Sequence, residues 1–139
     1  MAFDGITIRS LIFELNNKIL NGRIDKIAQP EKDELLLTIK TPSGQRRLML
    51  SVNASLPLAY LVSGNKPSPL TAPNFCMLLR KHIANGRIIS VTQPGLERIV
   101  RIEVEHLDEM GDLRRKFIVI ELMGKHSNII FCDEDNVIL

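Results

Sequence analysis

The chain has 139 residues, 45% of them hydrophobic and 24% charged, which fits one globular domain with its own core. A net charge of +2 excludes a strongly basic protein, and an aromatic content of 4% leaves few rings for stacking on nucleobases. No segment approaches the roughly 20 apolar residues of a membrane span, and the chain start lacks the basic and apolar regions of a signal peptide. We therefore expect a cytoplasmic protein without a membrane partner.

The first half of the chain is predicted to form one helix and four strands. Apolar residues recur at helical spacing from Ile8 to Ile19, which predicts an amphipathic helix over residues 6–20. Gly22 is expected to end this helix as a left-handed cap. The predicted strands cover residues 24–28, 35–40, 46–52 and 58–62.

The second half of the chain has the same predicted order. A helix is expected over residues 73–84, with Gly86 ending it. The predicted strands cover residues 88–92, 98–105, 114–122 and 127–132, and Val137–Leu139 begins a further strand. Residues 63–72 are rich in proline, serine and glycine and are expected to link the two halves.

The two halves repeat one another at an offset of 64 residues. Ile19–Ile24 is echoed by Ile83–Ile88, and Gln29-Pro30 is echoed by Gln93-Pro94. Such a duplication predicts an α+β fold, a pseudo-twofold antiparallel β-sandwich flanked by two helices. We expect one domain over residues 1–139, made of two units at about residues 6–62 and 73–132.

Several polar clusters are candidates for binding. Glu97-Arg98 follows a glycine-containing turn, where an arginine can bind phosphate or can form an ordinary hairpin ion pair. Asp4 suits a helix N-cap as well as a binding role. Two further clusters are Arg80, Lys81 and His82 near the end of the second helix, and Lys125, His126, Ser127 and Asn128 between two strands. The first can also serve the helix dipole, and the second can also be a plain turn.

The sequence gives little support for a metal, a cofactor or a catalytic group. Cys76 and Cys132 lie in apolar runs and are expected to be buried, reduced thiols. The histidines His82, His106 and His126 lack the spacing of metal ligands. No hydrolase triad order, P-loop or pair of catalytic carboxylates stands out, so we expect a binding module without cofactor rather than an enzyme.

Four motifs in this order resemble the NFACT family: Phe3-Asp4-Gly5, Phe75–Ile83, Gly95–Arg98 and Met123–Ile130. The resemblance covers the whole chain, corresponds to the family's N-terminal domain, and implies that this chain is part of a longer protein. It implies binding of tRNA and of the large ribosomal subunit with stalled peptidyl-tRNA, and a role in alanine tailing of the stalled chain. The candidate clusters above would then be RNA-binding residues. Family members that add tails are similar in carrying Asp-Arg where this sequence has Glu97-Arg98.

Two other functions follow from resemblances and are less favoured. The fold is expected to be similar to the N-terminal domain of formamidopyrimidine-DNA glycosylases, whose N-terminal proline is followed by glutamate. Ala2 and Phe3 stand at these positions here, so the nucleophile and its acid are both missing. NFACT proteins have also been labelled as fibronectin-binding, which suggests a surface adhesin with fibronectin as partner. The lack of a signal peptide argues against export by the usual route.

Overall fold

The computed structural model describes residues 5–52, 58–62, 73–95, 98–121, 128–135 and 137–139. In chain order, its elements are α1 (Gly5–Ile19), β1 (Arg23–Ala28), β2 (Glu34–Thr41), β3 (Gly44–Ser51), β4 (Leu58–Val62), α2 (Asn74–Ile83), β5 (Arg87–Thr92), β6 (Ile99–Leu107), β7 (Leu113–Glu121) and β8 (Asn128–Asp133).

Every helix and strand predicted for the two halves is present, with bounds that differ by at most two residues. The further strand expected at Val137–Leu139 is reduced to one isolated bridge between Cys132 and Ile138. The linker predicted at residues 63–72 lies outside the described residues.

The eight strands form one antiparallel sheet in the order β4-β3-β2-β1-β5-β6-β7-β8. The two halves meet where Arg23 of β1 pairs with Arg87 of β5. They also face one another, because Leu35 of β2 and Ile129 of β8 line the same small cavity although four strands lie between β2 and β8 in the sheet. The fold is thus the expected α+β arrangement with two helices. The two halves of the predicted sandwich are not separate sheets, because β1 and β5 join them into one sheet.

Hydrogen bonds across this centre occur in matched pairs. The amide of Asn21 donates to the carbonyl of Ile88 at 2.7 Å, and the amide of Asn85 donates to the carbonyl of Ile24 at 2.8 Å. Each of these residues lies 64 positions from its counterpart in the other bond. The sequence repeat is therefore also a repeat of contacts about an approximate twofold axis.

Each helix is fixed to the first strand of the other half. The side-chain amide of Asn16 in α1 donates to the carbonyl of Val91 at 2.8 Å and accepts from the amide of Val91 at 3.3 Å. In α2, Nε of Arg80 donates to the carbonyl of Ile27 at 2.8 Å. Asn16 and Arg80 are equivalent positions of the repeat, as are Val91 and Ile27. These crossed anchors hold the two halves together.

The prediction that Gly22 is the left-handed cap is wrong, because the left-handed residue stands one position earlier. Asn21 has φ 65° and Asn85 has φ 67°, and asparagine tolerates this conformation better than most residues. Gly22 and Gly86, the residues that follow these asparagines, are instead needed because neighbouring side chains leave no room for a Cβ. A Cβ on Gly22 would collide with Ile39, and one on Gly86 would lie 2.6 Å from Cγ1 of Val104.

One hydrophobic core joins both halves. It contains Ile8, Leu15 and Ile19 of α1, Leu79 and Ile83 of α2, and apolar residues of β1, β2, β3, β5, β6, β7 and β8. Cys76 and Cys132 are buried free thiols, as expected, and burial raises the pKa of both. Among the described residues, the structure contains no helix whose length and apolar character would let it span a membrane.

Candidate nucleic-acid interface

Arg98 is exposed and directly precedes β6. It follows a turn in which Gly95 has φ 57°, a left-handed conformation that glycine adopts without steric cost. The carbonyl of Gly95 accepts a hydrogen bond from Nη2 of Arg9 in α1 at 3.4 Å. The helix therefore brings a second guanidinium to the turn before Arg98. Glu97 lies outside the described residues.

Arg98 and Asn128 lie at the same end of the sheet. Ile99, the neighbour of Arg98, pairs with Glu121, and Glu121 pairs with Asn128. Two strand spacings separate β6 from β8, which is about 10 Å. Arg98 and Asn128, which are 30 residues apart in the sequence, therefore lie two strands apart at the same end of the sheet, which we call the Arg98 edge.

Asn128 also borders a small cavity of about 180 Å³. Its own Oδ1 accepts a hydrogen bond from the amide of Ile129 at 2.9 Å, which leaves its side-chain NH2 group at the exposed surface. Gln29 lines the same cavity and is 7% exposed, and its Oε1 has no hydrogen-bond partner in the described part of the chain. Asp4, Lys125, His126 and Ser127 lie outside the described residues.

A second site lies at the other end of β6. Lys81 and His82 of α2 line a cavity of about 500 Å³ together with His106 of β6 and Lys116 of β7. We call this space, defined by these four residues, the basic cavity. His106 stands eight residues from Arg98 along an extended strand, a separation of about 26 Å. The cluster Arg80–His82 and Arg98 were both candidates from the sequence, and the structure does not bring them together.

Arg80 differs from its two neighbours in the sequence. Its Nε is bound to the carbonyl of Ile27, so part of its guanidinium holds α2 on β1. The residue is otherwise exposed. Arg80 therefore has a structural role, whereas Lys81 and His82 line the basic cavity.

The two histidines of the basic cavity are poor proton acceptors. Nζ of Lys116 lies 3.3 Å from Nε2 of His106, and Nδ1 of His106 lies 3.3 Å from the carbonyl of Leu107. This network fits a neutral imidazole that donates from Nδ1 and accepts at Nε2. Burial is the main cause that lowers the pKa of His106. Burial, followed by the charges of Lys116 and Lys81, lowers the pKa of His82.

These lowered pKa values predict that acid weakens the fold. In the unfolded chain each imidazole has its ordinary pKa of 6.5, whereas the folded protein holds both below it. Between the two values the unfolded state binds more protons, so the free energy of unfolding falls as the pH drops below about 6.5. The loss is complete once the pH passes below the folded pKa values. Urea unfolding between pH 7.5 and pH 5, in buffer without phosphate, measures this slope.

The variant His106→Gln is the control for that slope, because glutamine does not titrate. The dependence of unfolding free energy on pH should become shallower in this variant. An equally steep slope in wild type and variant would show that other groups cause it.

Sequence reasoning missed Arg9, His106 and Lys116 as members of these sites. One signal was present for His106: it is the fourth inward residue of β6, after Val100, Ile102 and Val104, and a histidine in an apolar series marks a special environment. Arg9 and Lys116 gave no local signal, since their roles depend on which elements pack against them. In the part of the chain that the structure describes, no group of histidine, cysteine or acidic residues could hold a metal ion.

The fold and these sites define a class of protein: a duplicated α+β domain with cationic side chains at both ends of one strand. The family model described as "NFACT N-terminal and middle domains" matches residues 4–139. The chain therefore belongs to the NFACT family.

Three known proteins show the range of this similarity. The Rqc2 homolog RqcH of Bacillus subtilis is 39% identical over 140 residues, which is all of this chain and 25% of that protein. The human ribosome quality control complex subunit NEMF is 26% identical over 137 residues, 99% of this chain and 12% of NEMF. The crystal structure of the N-terminal domain of fibronectin-binding protein PavA from Streptococcus pneumoniae superposes with a TM-score of 0.95 at 37% identity, covering 99% of this chain and 52% of that one. This chain thus spans about a quarter of the length of the bacterial relative.

Proposed function

We propose that this domain is the tRNA- and large-subunit-binding module of a cytoplasmic ribosome-associated quality control factor. The factor would recognise large ribosomal subunits with stalled peptidyl-tRNA and direct alanine tailing of the stalled chain. The observation that carries the proposal is the Arg98 edge, where Arg98 and Asn128 lie two strands apart, with Arg9 beside the turn that precedes Arg98. Membership of a family with ribosome quality control proteins supports it.

The chemistry of this edge suits an RNA loop. An exposed arginine can donate two parallel hydrogen bonds to a phosphate, and a side-chain amide can read the edge of a base or a ribose hydroxyl. Contacts of these kinds fix position and identity without aromatic stacking, which agrees with the low aromatic content. We propose that the domain binds RNA and performs no reaction itself.

Sedimentation of the full-length protein with purified ribosomal particles tests the proposal. We expect the protein to pellet with large subunits that carry peptidyl-tRNA and to bring added tRNA with it. Small subunits and empty large subunits serve as controls, and we expect weaker binding to both. Equal binding to all particles, or none to any, would contradict the proposal.

Fibronectin is the second candidate partner, because a structure of high similarity is named a fibronectin-binding protein. The same preparation should be passed over immobilised fibronectin at physiological salt. Saturable binding to fibronectin without binding to large subunits would favour the adhesin. Binding to large subunits alone would favour the RNA-binding module.

A further inference from the structure

We propose that the basic cavity binds a phosphate group, which the ammonium groups of Lys81 and Lys116 and the ring nitrogens of His82 and His106 hold. This site lies about 26 Å along β6 from Arg98. The cavity is therefore distinct from the edge on which the proposed function rests, and the two proposals are tested independently.

Neither ammonium group of the cavity forms an ion pair with a carboxylate of the described residues, although Asp108 and Glu109 also line the cavity. The partner of Lys116 is Nε2 of His106, a neutral nitrogen, at 3.3 Å. Lys81 has no hydrogen-bond or ion-pair partner among the described residues. Two ammonium groups thus line one half-enclosed space, and an anion there would be attracted by both.

The acidic residues that line the cavity or lie next to it, Asp108, Glu109 and Glu134, are paired elsewhere or exposed. Oδ1 of Asp108 accepts the amides of Met110 and Asp112, both at 2.9 Å, and its Oδ2 accepts from Nε of Arg114 at 3.2 Å. Arg114 also pairs with Glu134 at 3.1 Å. Glu109 lies on the exposed turn at the cavity and pairs with neither lysine, and its charge raises the pKa of His82 against the larger effect of burial. These pairs leave the charges of Lys81 and Lys116 free for a ligand.

The donors of the cavity match an oxyanion with several oxygens. Lys81 offers three N–H donors, and Lys116 offers two besides the one that it gives to His106. His82 offers a donor at one ring nitrogen, whereas His106 offers one at Nε2 only when it is protonated, because its Nδ1 donates to the carbonyl of Leu107. A phosphate group presents three or four acceptor oxygens, whereas a carboxylate presents two. A cavity of about 500 Å³ also has room for the group to which the phosphate is attached.

The phosphate could belong to an RNA strand or to a small phosphorylated compound, and the two sources need different probes. Calorimetric titrations of the protein should use inorganic phosphate, AMP with adenosine as its control, and a short RNA without terminal phosphates. We expect inorganic phosphate to bind saturably. RNA binding that is tighter than AMP binding and that Lys116→Gln weakens identifies a strand as the source, and the reverse order of affinities identifies a small compound.

Variants place the binding in the cavity. Lys116→Gln and Lys81→Gln should each weaken phosphate binding about tenfold to a hundredfold, since each removes one charged hydrogen bond. Lys18→Gln is the matched control, because Lys18 lies in the last turn of α1, where its ammonium pairs with Glu14. It should bind phosphate as wild type does. Unfolding curves of all three variants confirm that each remains folded.

The pH dependence of sulfate binding is a further readout, which a merely structural role of the histidines would not change. Sulfate is the probe because it keeps its charge between pH 5 and pH 8. Its binding should tighten as the pH falls, since protonation of His82 and His106 adds positive charge beside the anion. The charged groups that face these rings are Lys81, Arg114, Lys116, Asp108, Glu109 and Glu134. The three cations of this set favour an anion in the cavity, and the three carboxylates oppose it.

Two results would overturn the proposal. One is the absence of saturable binding of phosphate, AMP and sulfate to the wild-type protein. The other is phosphate binding that Lys116→Gln and Lys81→Gln leave unchanged while the proteins remain folded. Neither result bears on Arg98, whose test uses tRNA and stalled subunits.

Discussion

Replacing Gly86 with alanine should lower the free energy of unfolding by about 1–3 kcal/mol, the usual cost of forcing an extra carbon into a packed site. The new Cβ would lie 2.6 Å from Cγ1 of Val104, 2.9 Å from the carbonyl oxygen of Ile83 and 3.2 Å from that of Glu105. Two of these neighbours are backbone atoms and cannot rotate away. Chemical denaturation of wild type and variant measures the difference.

The cost should come from crowding at the centre of the fold. Gly86 accepts the hydrogen bond from the amide of Ile24 that ties the two halves together at 2.8 Å. A shift that relieves the collision would lengthen this bond. The double variant Gly86→Ala with Val104→Ala tests this cause, because it removes the side-chain collision and keeps the backbone one. Its destabilisation should be smaller than the sum of the two single changes.

Gly111→Ala is the control for conformational strain alone. Gly111 has φ 82°, and a Cβ there would meet no atom within 4 Å. Its cost should be about 1–2 kcal/mol, from the left-handed backbone only. A variant Gly86→Ala as stable as wild type would show that the strands at the centre can move apart at no cost, which would contradict the close packing of Gly86 against Val104 and the backbone.

The sequence predicted the elements well because their signals are local. Each signal lies within a few residues of the helix or strand end that it determines. Examples are the helical spacing in α1, the asparagine-glycine pairs after both helices and the turns between strands. Assigning the left-handed conformation to Gly22 instead of Asn21 was an error of one position. It arose because crowding by Ile39, a residue of another strand, requires the glycine.

The candidate sites were harder to predict because they depend on contacts between distant segments. The sequence grouped Arg80, Lys81 and His82 with Arg98 as one set of RNA ligands. The crossed packing of α2 on β1 instead gives Arg80 a backbone partner and turns Lys81 and His82 towards β6 and β7. No local pattern in the sequence predicts which half of a duplicated fold each helix will pack against.

The sites at the two ends of β6 also differ in how accessible they are to a ligand. At one end, Arg98 directly precedes the strand and is exposed, so a large partner can reach its side chain from solvent. At the other end, His106 is 8% exposed and its ring is held by hydrogen bonds, so a ligand must enter a cavity. An open edge suits a large RNA, and a cavity suits a single phosphate group. Separate variants can therefore test the two sites.

Arg98→Ala should weaken the retention of tRNA on stalled large subunits by about tenfold to a hundredfold, the usual effect of losing one charged hydrogen-bonding contact. The fold should remain intact, because Arg98 is exposed and forms no hydrogen bond to another described residue. Its free energy of unfolding should change by no more than about 0.5 kcal/mol, as for an ordinary surface site.

The dependence of binding on salt distinguishes a phosphate contact from other roles of Arg98. If its guanidinium binds a phosphate, the variant should lose about 0.7–0.9 units from the slope of log K against log salt concentration. Arg87→Ala is the matched control, since Arg87 is exposed and its guanidinium pairs with Glu105 at 3.0 Å on another surface. This control should retain tRNA with wild-type affinity and slope.

Glu97→Asp is the informative partner of Arg98→Ala, since it restores the acid-arginine pair that the family resemblance leads us to expect. A carboxylate cannot attract phosphate, so the acid must orient Arg98 or accept hydrogen bonds from a base or ribose hydroxyl. Glu97→Asp should therefore keep the salt slope of wild type and change only which tRNA is retained, measured by sequencing the bound tRNA. If Arg98→Ala retains tRNA as well as wild type at two salt concentrations, the pair is an ordinary hairpin feature and the edge beside Asn128 is not the tRNA site.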